Sequence, residues 1–212
     1  MPLEIAEHAG FCMGVRRAVE AAVAIAEKGE TACTLGELIH NPQVVSMLRD
    51  KGIPPVATPE EAQGRKVLIR SHGVSLDVIE RIEKLGCTAV DLTCPFVDRL
   101  HRIVHENTAD GTPVIIVGER EHPEVQGTAG WAGGEVYFVA SVQEAEALPP
   151  VERAVAVAQT TFPPESWEEI VRALRRRVGE LQAHSTICSA TEIRQKEARV
   201  KEAKMLGVSF GD

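Results

Sequence analysis

Ala9-Gly10-Phe11-Cys12-Met13-Gly14-Val15-Arg16-Arg17 is the stretch around which the rest of this sequence is organised. A strand-like pattern at Leu3 to Glu7 precedes it, and apolar residues at helical spacing follow from Val15 onward. Cys12 is therefore predicted where a strand ends and a helix begins. There, unpaired N–H groups and the helix dipole favour the thiolate, the form that binds metal. A single cysteine of this kind is more often a small buried apolar residue.

The same arrangement occurs twice more along the chain. In Val90-Asp91-Leu92-Thr93-Cys94-Pro95-Phe96 a strand pattern runs up to Cys94, and the proline suits the first position of a helix. In Ser185-Thr186-Ile187-Cys188-Ser189-Ala190-Thr191 the cysteine opens the last helix pattern. No CxxC pair is present, which argues against a local zinc knuckle. Three thiolates converging at the edge of open sheets could instead bind an iron–sulfur cluster, with one iron left without a cysteine ligand.

Strand and helix patterns alternate from end to end, which predicts an α/β fold made of repeated small lobes of mostly parallel sheet with flanking helices. We expect these lobes to be arranged around a central iron–sulfur site. The predicted division is a strand and first cysteine loop at 1–12, a first α/β lobe at 13–94, a second at 95–186, and the start of an incomplete third lobe at 187–212.

Charge and cysteine content limit the partners and the compartment. A net charge of −8 disfavours nucleic acid and anionic membranes as partners. No signal-peptide pattern and no membrane-spanning apolar run is visible in the sequence. The five cysteines are an odd number without a disulfide-like framework, so a reducing cytoplasm is the expected location.

Three histidines share the cysteines' position at strand-to-helix junctions. They are His40, His72 and His122. A lone histidine is more often structural, but helix N-termini bind anions and histidines add N–H donors there. Together the three predict a phosphate or diphosphate pocket. The remaining histidines lack this setting; His101 and His105 lie one helical turn apart, yet they have no third ligand nearby and suit a solvated face.

Two further polar residues stand at these junctions. Glu124 follows His122 by two residues and is a candidate proton donor, because a site of low dielectric raises the pKa of a carboxyl group. The alternative is an exposed acid that caps a following helix. Thr160 and Thr161 are either ordinary β-branched strand residues or hydroxyls that bond a substrate and relay a proton.

The three cysteine motifs resemble those of the 4-hydroxy-3-methylbut-2-enyl diphosphate reductase family. The resemblance rests on Ala9 to Arg17, on Asp91 to Pro95, and on Thr186 to Thr191 with Arg194-Gln195, in the same order and at similar spacing over almost the whole chain. It implies the last enzyme of the non-mevalonate isoprenoid pathway. Reduced ferredoxin or flavodoxin would supply two electrons, and the products would be isopentenyl and dimethylallyl diphosphate.

The resemblance also implies a role for each candidate residue. It assigns the ligands of a 4Fe–4S cluster to Cys12, Cys94 and Cys188, and the diphosphate site to His40, His72 and His122. Glu124 would supply protons together with Thr160 and His122, and Thr160 would also contact the substrate. Cys33 and Cys87 match no ligand and are expected to be buried thiols.

The sequence departs from this family after the last cysteine motif. Family members continue into a third lobe whose Ser-Ser-Asn stretch and later serine hold the diphosphate. This sequence closes with Leu206-Gly207-Val208-Ser209-Phe210-Gly211-Asp212, so we expect a pocket open on one side. Two other functions stay open: a non-catalytic iron–sulfur carrier or redox sensor, and, less favoured by the dispersed thiols, a zinc hydrolase.

Overall fold

Two four-stranded parallel sheets form the framework of the protein, as a computed structural model covering residues 6–205 shows. The first sheet has the order β2-β1-β3-β4 and consists of β1 (Ala32–Leu35), β2 (Pro55–Val56), β3 (Lys66–Ile69) and β4 (Thr88–Asp91). The second has the order β6-β5-β7-β8 and consists of β5 (Val114–Val117), β6 (Val136–Val139), β7 (Val151–Ala158) and β8 (Val178–His184). The predicted α/β fold with repeated small parallel sheets is confirmed.

Helices connect the strands and cover the sheets. They are α1 (Met13–Glu27), α2 (Pro42–Asp50), α3 (Leu76–Lys84), α4 (Pro95–Thr108), α5 (Pro123–Ala129), α6 (Val142–Ala147), α7 (Pro164–Leu174) and α8 (Ser189–Met205), with a short 3₁₀ helix at Pro59–Ala62. Within the described residues, no helix combines the length and the apolar character needed to cross a membrane.

The central strands are buried on both faces, which is why they read as continuous apolar runs. All four residues of β1 and all four of β5 are buried. Alternate residues of β3 point to opposite sides: Leu68 packs into the cluster beneath α1 and α2, whereas Val67 and Ile69 pack into the cluster beneath α3. This two-sided packing fixes the register of the strands and therefore the positions of the loops that leave them.

The two sheets have the same strand order, and this creates an equivalent crevice in each of them. In each sheet the first strand is flanked by the second on one side and the third on the other. The connections after the first and third strands therefore diverge, and such switch points at the carboxyl ends of parallel strands are where α/β proteins bind ligands. One crevice lies above β1 and β3, and the other lies above β5 and β7.

Some local expectations differ from the structure. The helix predicted at Ser166 to Val178 ends at Leu174, because the chain tightens into a turn at Arg175–Arg177 and enters β8 at Val178. The side chain of Arg177 donates a hydrogen bond to the carbonyl oxygen of Leu148 and holds this turn.

The strand predicted at Leu3 to Glu7 lies mostly outside the described residues, and its last two residues are not in a strand. The closing stretch at 206–212 also lies outside them. The division into lobes at residues 12, 94 and 186 stays a prediction.

Candidate active site

The three motif cysteines occupy equivalent positions at helix starts. Cys12 is the N-cap of α1, Cys94 is the N-cap of α4, and Cys188 directly precedes α8. The first two have extended backbone angles, so the chain turns into the helix immediately after the thiol-bearing residue. Cys94 follows the last strand of the first sheet, and Cys188 follows the last strand of the second.

Packing brings these helix starts together. A Cβ atom built on Gly14, in the first turn of α1, would lie 2.5 Å from Sγ of Cys94, so only glycine allows α1 to approach this thiol. From the other side, Arg194 of α8 donates a hydrogen bond of 2.7 Å to the carbonyl oxygen of Gly10, which ties α8 to the Cys12 loop. Cys12 and Cys188 both act electrostatically on the Cys94 thiol.

The protonation of Cys94 differs from the simple helix-terminus expectation. The backbone N–H groups of Phe96 and Val97 favour the thiolate, but burial outweighs them and raises the pKa of Cys94. Neighbouring Cys12 and Cys188 raise this pKa further, because negative charges close together repel. A set of thiolates at this place therefore needs a cationic centre to neutralise it.

The donor set fits an iron–sulfur cluster. All three thiols are free, partly buried, and positioned by rigid helix starts rather than by flexible loops. The Cys188 thiol lies 2.9 Å from the Thr191 hydroxyl and accepts the Thr191 N–H at 3.3 Å, so contacts within the first turn of α8 hold it in place. In the part of the chain that the structure describes, no three His, Cys, Asp or Glu side chains are arranged around a single metal ion.

The three predicted histidines form a compact triad. The ring centroids of His40 and His72 are 4.3 Å apart, and His122 lies 5.6 Å from each of them. His40 and His72 follow β1 and β3 at the first crevice, whereas His122 follows β5 at the second. The triad therefore joins the two crevices. Asn41 helps to position His40, because its side chain caps α2 by accepting the Val44 N–H at 3.0 Å.

The structure keeps two members of the triad neutral. Burial lowers the pKa of His72 to about 3, and the other two histidines and Arg70 lower it further by repulsion. Burial also lowers the pKa of His122, whose Nδ1 accepts the Glu124 N–H at 3.1 Å. The neutral ring of His122 therefore carries its proton on Nε2. Nδ1 of His72 is buried, and no group of the described residues forms a hydrogen bond with it. Such groups are suited to donate N–H bonds to an anion.

Glu124 and Thr160 form a buried acid–hydroxyl pair. Glu124 is only 2% exposed, which excludes the alternative of an exposed helix-capping acid. Its Oε1 accepts the Thr160 N–H at 2.6 Å, and its Oε2 accepts the Thr160 hydroxyl at 2.7 Å. Burial raises the pKa of Glu124, although the bonds from Thr160 oppose the shift. Pro123 at the first position of α5 fixes the turn that directs this acid inward.

Backbone hydrogen bonds join each crevice to its cysteine in the same way. The Cys94 N–H donates to the carbonyl oxygen of Ser71 at 3.0 Å, and the Cys188 N–H donates to that of Thr160 at 2.9 Å. Ser71 and Thr160 are each the second residue after the third strand of their sheet. Thr160 therefore contacts the acid through its side chain and the cysteine loop through its backbone.

Of the remaining expectations, the one for the two other cysteines is confirmed and the one for His101 is wrong. Cys33 and Cys87 are buried in the core beside β3, as expected. The solvated face expected for His101 is wrong: its ring is 2% exposed and stacks on Trp131, with 4.9 Å between the centroids, because α4 turns this side of the helix toward the first sheet. His105 is exposed and meets the same tryptophan edge-on, with 6.1 Å between the ring centroids. Burial lowers the pKa of His101 to about 4.

The fold and this site define a class: an α/β protein with paired parallel sheets that joins three thiols at helix starts to a histidine triad and a buried acid. The LytB protein family has this sequence pattern, and its model matches residues 3–208. The chain belongs to the LytB protein family.

Relatives with assigned names are similar over nearly the whole chain. The 4-hydroxy-3-methylbut-2-enyl diphosphate reductase of Thermoanaerobacter sp. (strain X514) is 45% identical over 215 residues, covering 99% of this chain and 74% of the relative. A solved structure of (E)-4-hydroxy-3-methyl-but-2-enyl diphosphate reductase, the terminal enzyme of the non-mevalonate pathway, has a TM-score of 0.78 and 39% identity, covering 95% of this chain and 72% of that one. The E-1-hydroxy-2-methyl-but-2-enyl-4-diphosphate reductase from Plasmodium falciparum has a TM-score of 0.82 and 26% identity, covering 88% of this chain and 61% of that one.

Proposed function

We propose that this chain reduces (E)-4-hydroxy-3-methylbut-2-enyl diphosphate to isopentenyl and dimethylallyl diphosphate, the last step of the non-mevalonate isoprenoid precursor pathway. One observation carries the proposal: a three-thiol site, a histidine triad and a buried acid with a raised pKa lie at adjoining crevices of one fold. The named relatives support the choice of substrate.

The histidine triad binds the diphosphate in this proposal. His40, His72 and His122 each offer an N–H donor, and their mutual contact lets them surround one phosphate group. His40 is the most accessible of the three, with about half of its side chain exposed, and lies at the entrance to the site. His122 lies two residues before Glu124 in the turn that starts α5, and in this proposal the substrate's reacting end faces the acid.

Glu124 supplies protons through Thr160 in this proposal. A carboxyl group with a raised pKa retains its proton at higher pH, and its contact with the Thr160 hydroxyl gives that proton a path of one hydrogen bond. The hydroxyl group of Thr160 can accept from the acid and donate onward at the same time. It thus serves either to hold the substrate hydroxyl or to relay a proton to it.

Cys12, Cys94 and Cys188 are the proposed ligands of a 4Fe–4S cluster. When bound, the cluster supplies electrons one at a time and, at the iron without a cysteine ligand, Lewis acidity. The overall step balances as follows: the allylic C–O bond breaks, a new C–H bond forms, and two electrons and two protons convert the alcohol into the alkene and water. Reduced ferredoxin or flavodoxin is the proposed source of the electrons, and the reducing cytoplasm is the proposed location.

Anaerobic turnover tests the proposal. The cluster-loaded chain is incubated with the allylic diphosphate and a chemical reductant, and the products are separated by chromatography. We expect both isopentenyl and dimethylallyl diphosphate to accumulate. If the protein holds the cluster and undergoes repeated reduction but forms neither product, the reductase function is wrong and the carrier or sensor function takes its place. A zinc-loaded protein that hydrolyses the substrate would instead support the hydrolase.

A further inference from the structure

Arg70 contacts both loops that carry the first two histidines. It is the residue directly after β3, and it opens the turn in which the Gly73 N–H donates to the Arg70 carbonyl oxygen at 2.9 Å. Its Nε lies 3.4 Å from the carbonyl oxygen of Gly73, so the side chain spans the turn that presents His72. Its Nη1 would lie 2.8 Å from a Cβ on Gly36, the first residue of the loop that leads to His40.

The charge of Arg70 is not compensated by an acid. Within the described part of the chain, Arg70 forms no ion pair with a carboxylate, and burial lowers its pKa. The carboxylates that act on the triad are those of Glu37, 3.7 Å from His40, and Glu119, which acts on His122. A partly buried cation without a counter-ion is costly, which suggests that an anion completes this site.

The second sheet contains an uncharged counterpart of Arg70. Gln159 is the residue directly after β7, just as Arg70 is the residue directly after β3. A Cβ on Gly118, which follows β5, would lie 2.7 Å from Oε1 of Gln159, just as Gly36 is crowded by Arg70. Gln159 also holds its loop with two hydrogen bonds of 3.0 Å, from the Glu119 N–H and to the Thr161 hydroxyl.

Each sheet with its connecting helices and loops is referred to as a unit. The two units therefore share one structural arrangement, but the side chain that forms it is charged in the first and neutral in the second. In each, the residue after the third strand reaches across the crevice to the glycine after the first strand, which sets the separation of the two loops. In the second unit, a neutral glutamine is sufficient to set the separation of the two loops. The positive charge of Arg70, beside the neutral rings of His72 and His122, needs a separate explanation.

We propose that Arg70 is the positioning residue that gives the histidine triad its selectivity for a multiply charged anion. Its side chain sets the spacing of the His40 and His72 loops, and its fixed charge attracts the diphosphate that the imidazoles then hydrogen-bond. This inference rests on the proposed function and deepens it by assigning the charge recognition of the diphosphate to a residue outside the triad.

Inorganic pyrophosphate is the probe that isolates this role. Its affinity for the anaerobically purified full chain is measured by isothermal titration calorimetry at low ionic strength, for the wild type and for Arg70→Gln, Arg70→Lys and Arg81→Gln. Arg81 is the matched control, because it is an exposed arginine on α3 whose charge is paired with Glu60. Thermal unfolding establishes that each variant is folded, and nuclear magnetic resonance follows the His72 ring.

The expected results separate charge from structure. Arg70→Gln should fold normally, because the second unit uses glutamine here, yet weaken pyrophosphate binding on the order of 10-fold or more by removal of one nearby charge. Arg70→Lys should stay within about threefold of the wild type, since it retains that charge, and Arg81→Gln should match the wild type. In Arg70→Gln the pKa of His72 should rise, and KM for the allylic diphosphate should rise with little change in kcat.

Two outcomes overturn the inference and are distinguishable from each other. If the wild type binds pyrophosphate and Arg70→Gln binds it equally well, or if Gln is tolerated while Lys is not, Arg70 has only a structural role and the proposed function survives. If the wild type binds neither pyrophosphate nor the allylic diphosphate, the proposed function fails and the role of Arg70 fails with it.

Discussion

At the scale of single residues, Glu124 is a carboxylic acid held inside the protein by one neighbour that donates to both of its oxygens. Replacing it with glutamine keeps the shape, and the Thr160 hydroxyl can rotate to accept from the new amide. Because the amide cannot deliver a proton, we expect turnover to fall on the order of 10² or more while cluster content and substrate binding persist. Steady-state kinetics beside iron analysis gives the comparison.

Thr160 supplies the matched variants for this prediction. Thr160→Ser keeps the hydroxyl and should retain most of the activity, whereas Thr160→Val removes it and should resemble Glu124→Gln. The backbone bond from Cys188 to this residue is preserved in both variants. Near-normal turnover in Glu124→Gln would reject this acid as the proton donor, whatever the behaviour of the threonine variants.

His101 predicts an acid sensitivity of the fold that is separate from catalysis. Its pKa is lowered to about 4 in the folded protein, against about 6.5 in an unfolded chain. The unfolded state therefore binds the proton first, so stability is complete above pH 6.5 and is lost as the pH falls toward 4. Between pH 7 and pH 5, we expect the unfolding free energy of the wild type to fall by about 2 kcal/mol more than that of His101→Gln.

Urea unfolding at the two pH values measures this difference. His105→Gln is the control for the loss of an imidazole from the same helix, since His105 is exposed one turn along from His101. Acids with lowered pKa, such as Asp110 at about 2, lose their contribution only at lower pH and do not interfere in this window. An equal loss of stability in the wild type and His101→Gln would contradict the assignment.

At the scale of secondary-structure elements, the sequence was most informative where a chemical group coincides with a helix start. The helix starts at Cys12 and Cys94 could be predicted because Pro95 directly follows Cys94 and glycines two residues to either side of Cys12 mark the turn. The positions of His40 and Glu124 followed from Asn41-Pro42 and Pro123 in the same way. Such local signals depend on only a few neighbouring residues, so they survive in the folded protein.

What could not be predicted depends on contacts between distant elements. The equivalence of Arg70 and Gln159 is visible only when the strand order and register of both sheets are known. The burial of His101 depends on Trp131, which is thirty positions away in the sequence and belongs to the segment after α5. The raised pKa of Cys94 likewise reflects burial by α1, whose approach is allowed by Gly14.

The helix-start cysteines predict a clear pattern of cluster loss. Cys12→Ala, Cys94→Ala and Cys188→Ala should each abolish the broad visible absorption of the anaerobically purified protein, because each removes a thiolate ligand. Cys33→Ala and Cys87→Ala should retain it, since these thiols are buried beside β3 away from the helix starts. Iron and sulfide analysis gives the second readout. Full cluster content in any of the first three variants would remove that residue from the ligand set.

At the scale of the whole molecule, the site results from two similar units placed together. Each unit runs from a cysteine-capped helix into a four-stranded parallel sheet of the same strand order. The first crevice contributes two histidines, and the second contributes the third histidine, the acid and the threonine. Trp131 connects the units by donating to the carbonyl oxygen of Val74 at 2.9 Å. Neither unit alone holds the complete set of groups.

If the thiols and the histidines belong to one reaction site, a diphosphate bound at the histidines must affect a cluster held by the thiols, and electron paramagnetic resonance of the reduced, anaerobically prepared chain measures this effect. We predict that adding the allylic diphosphate changes the spectrum of the cluster, because the proposed substrate site adjoins the thiols that would hold it. An unchanged spectrum, under conditions where calorimetry shows the same diphosphate to be bound, would contradict the account by separating the histidine triad from the cysteine site.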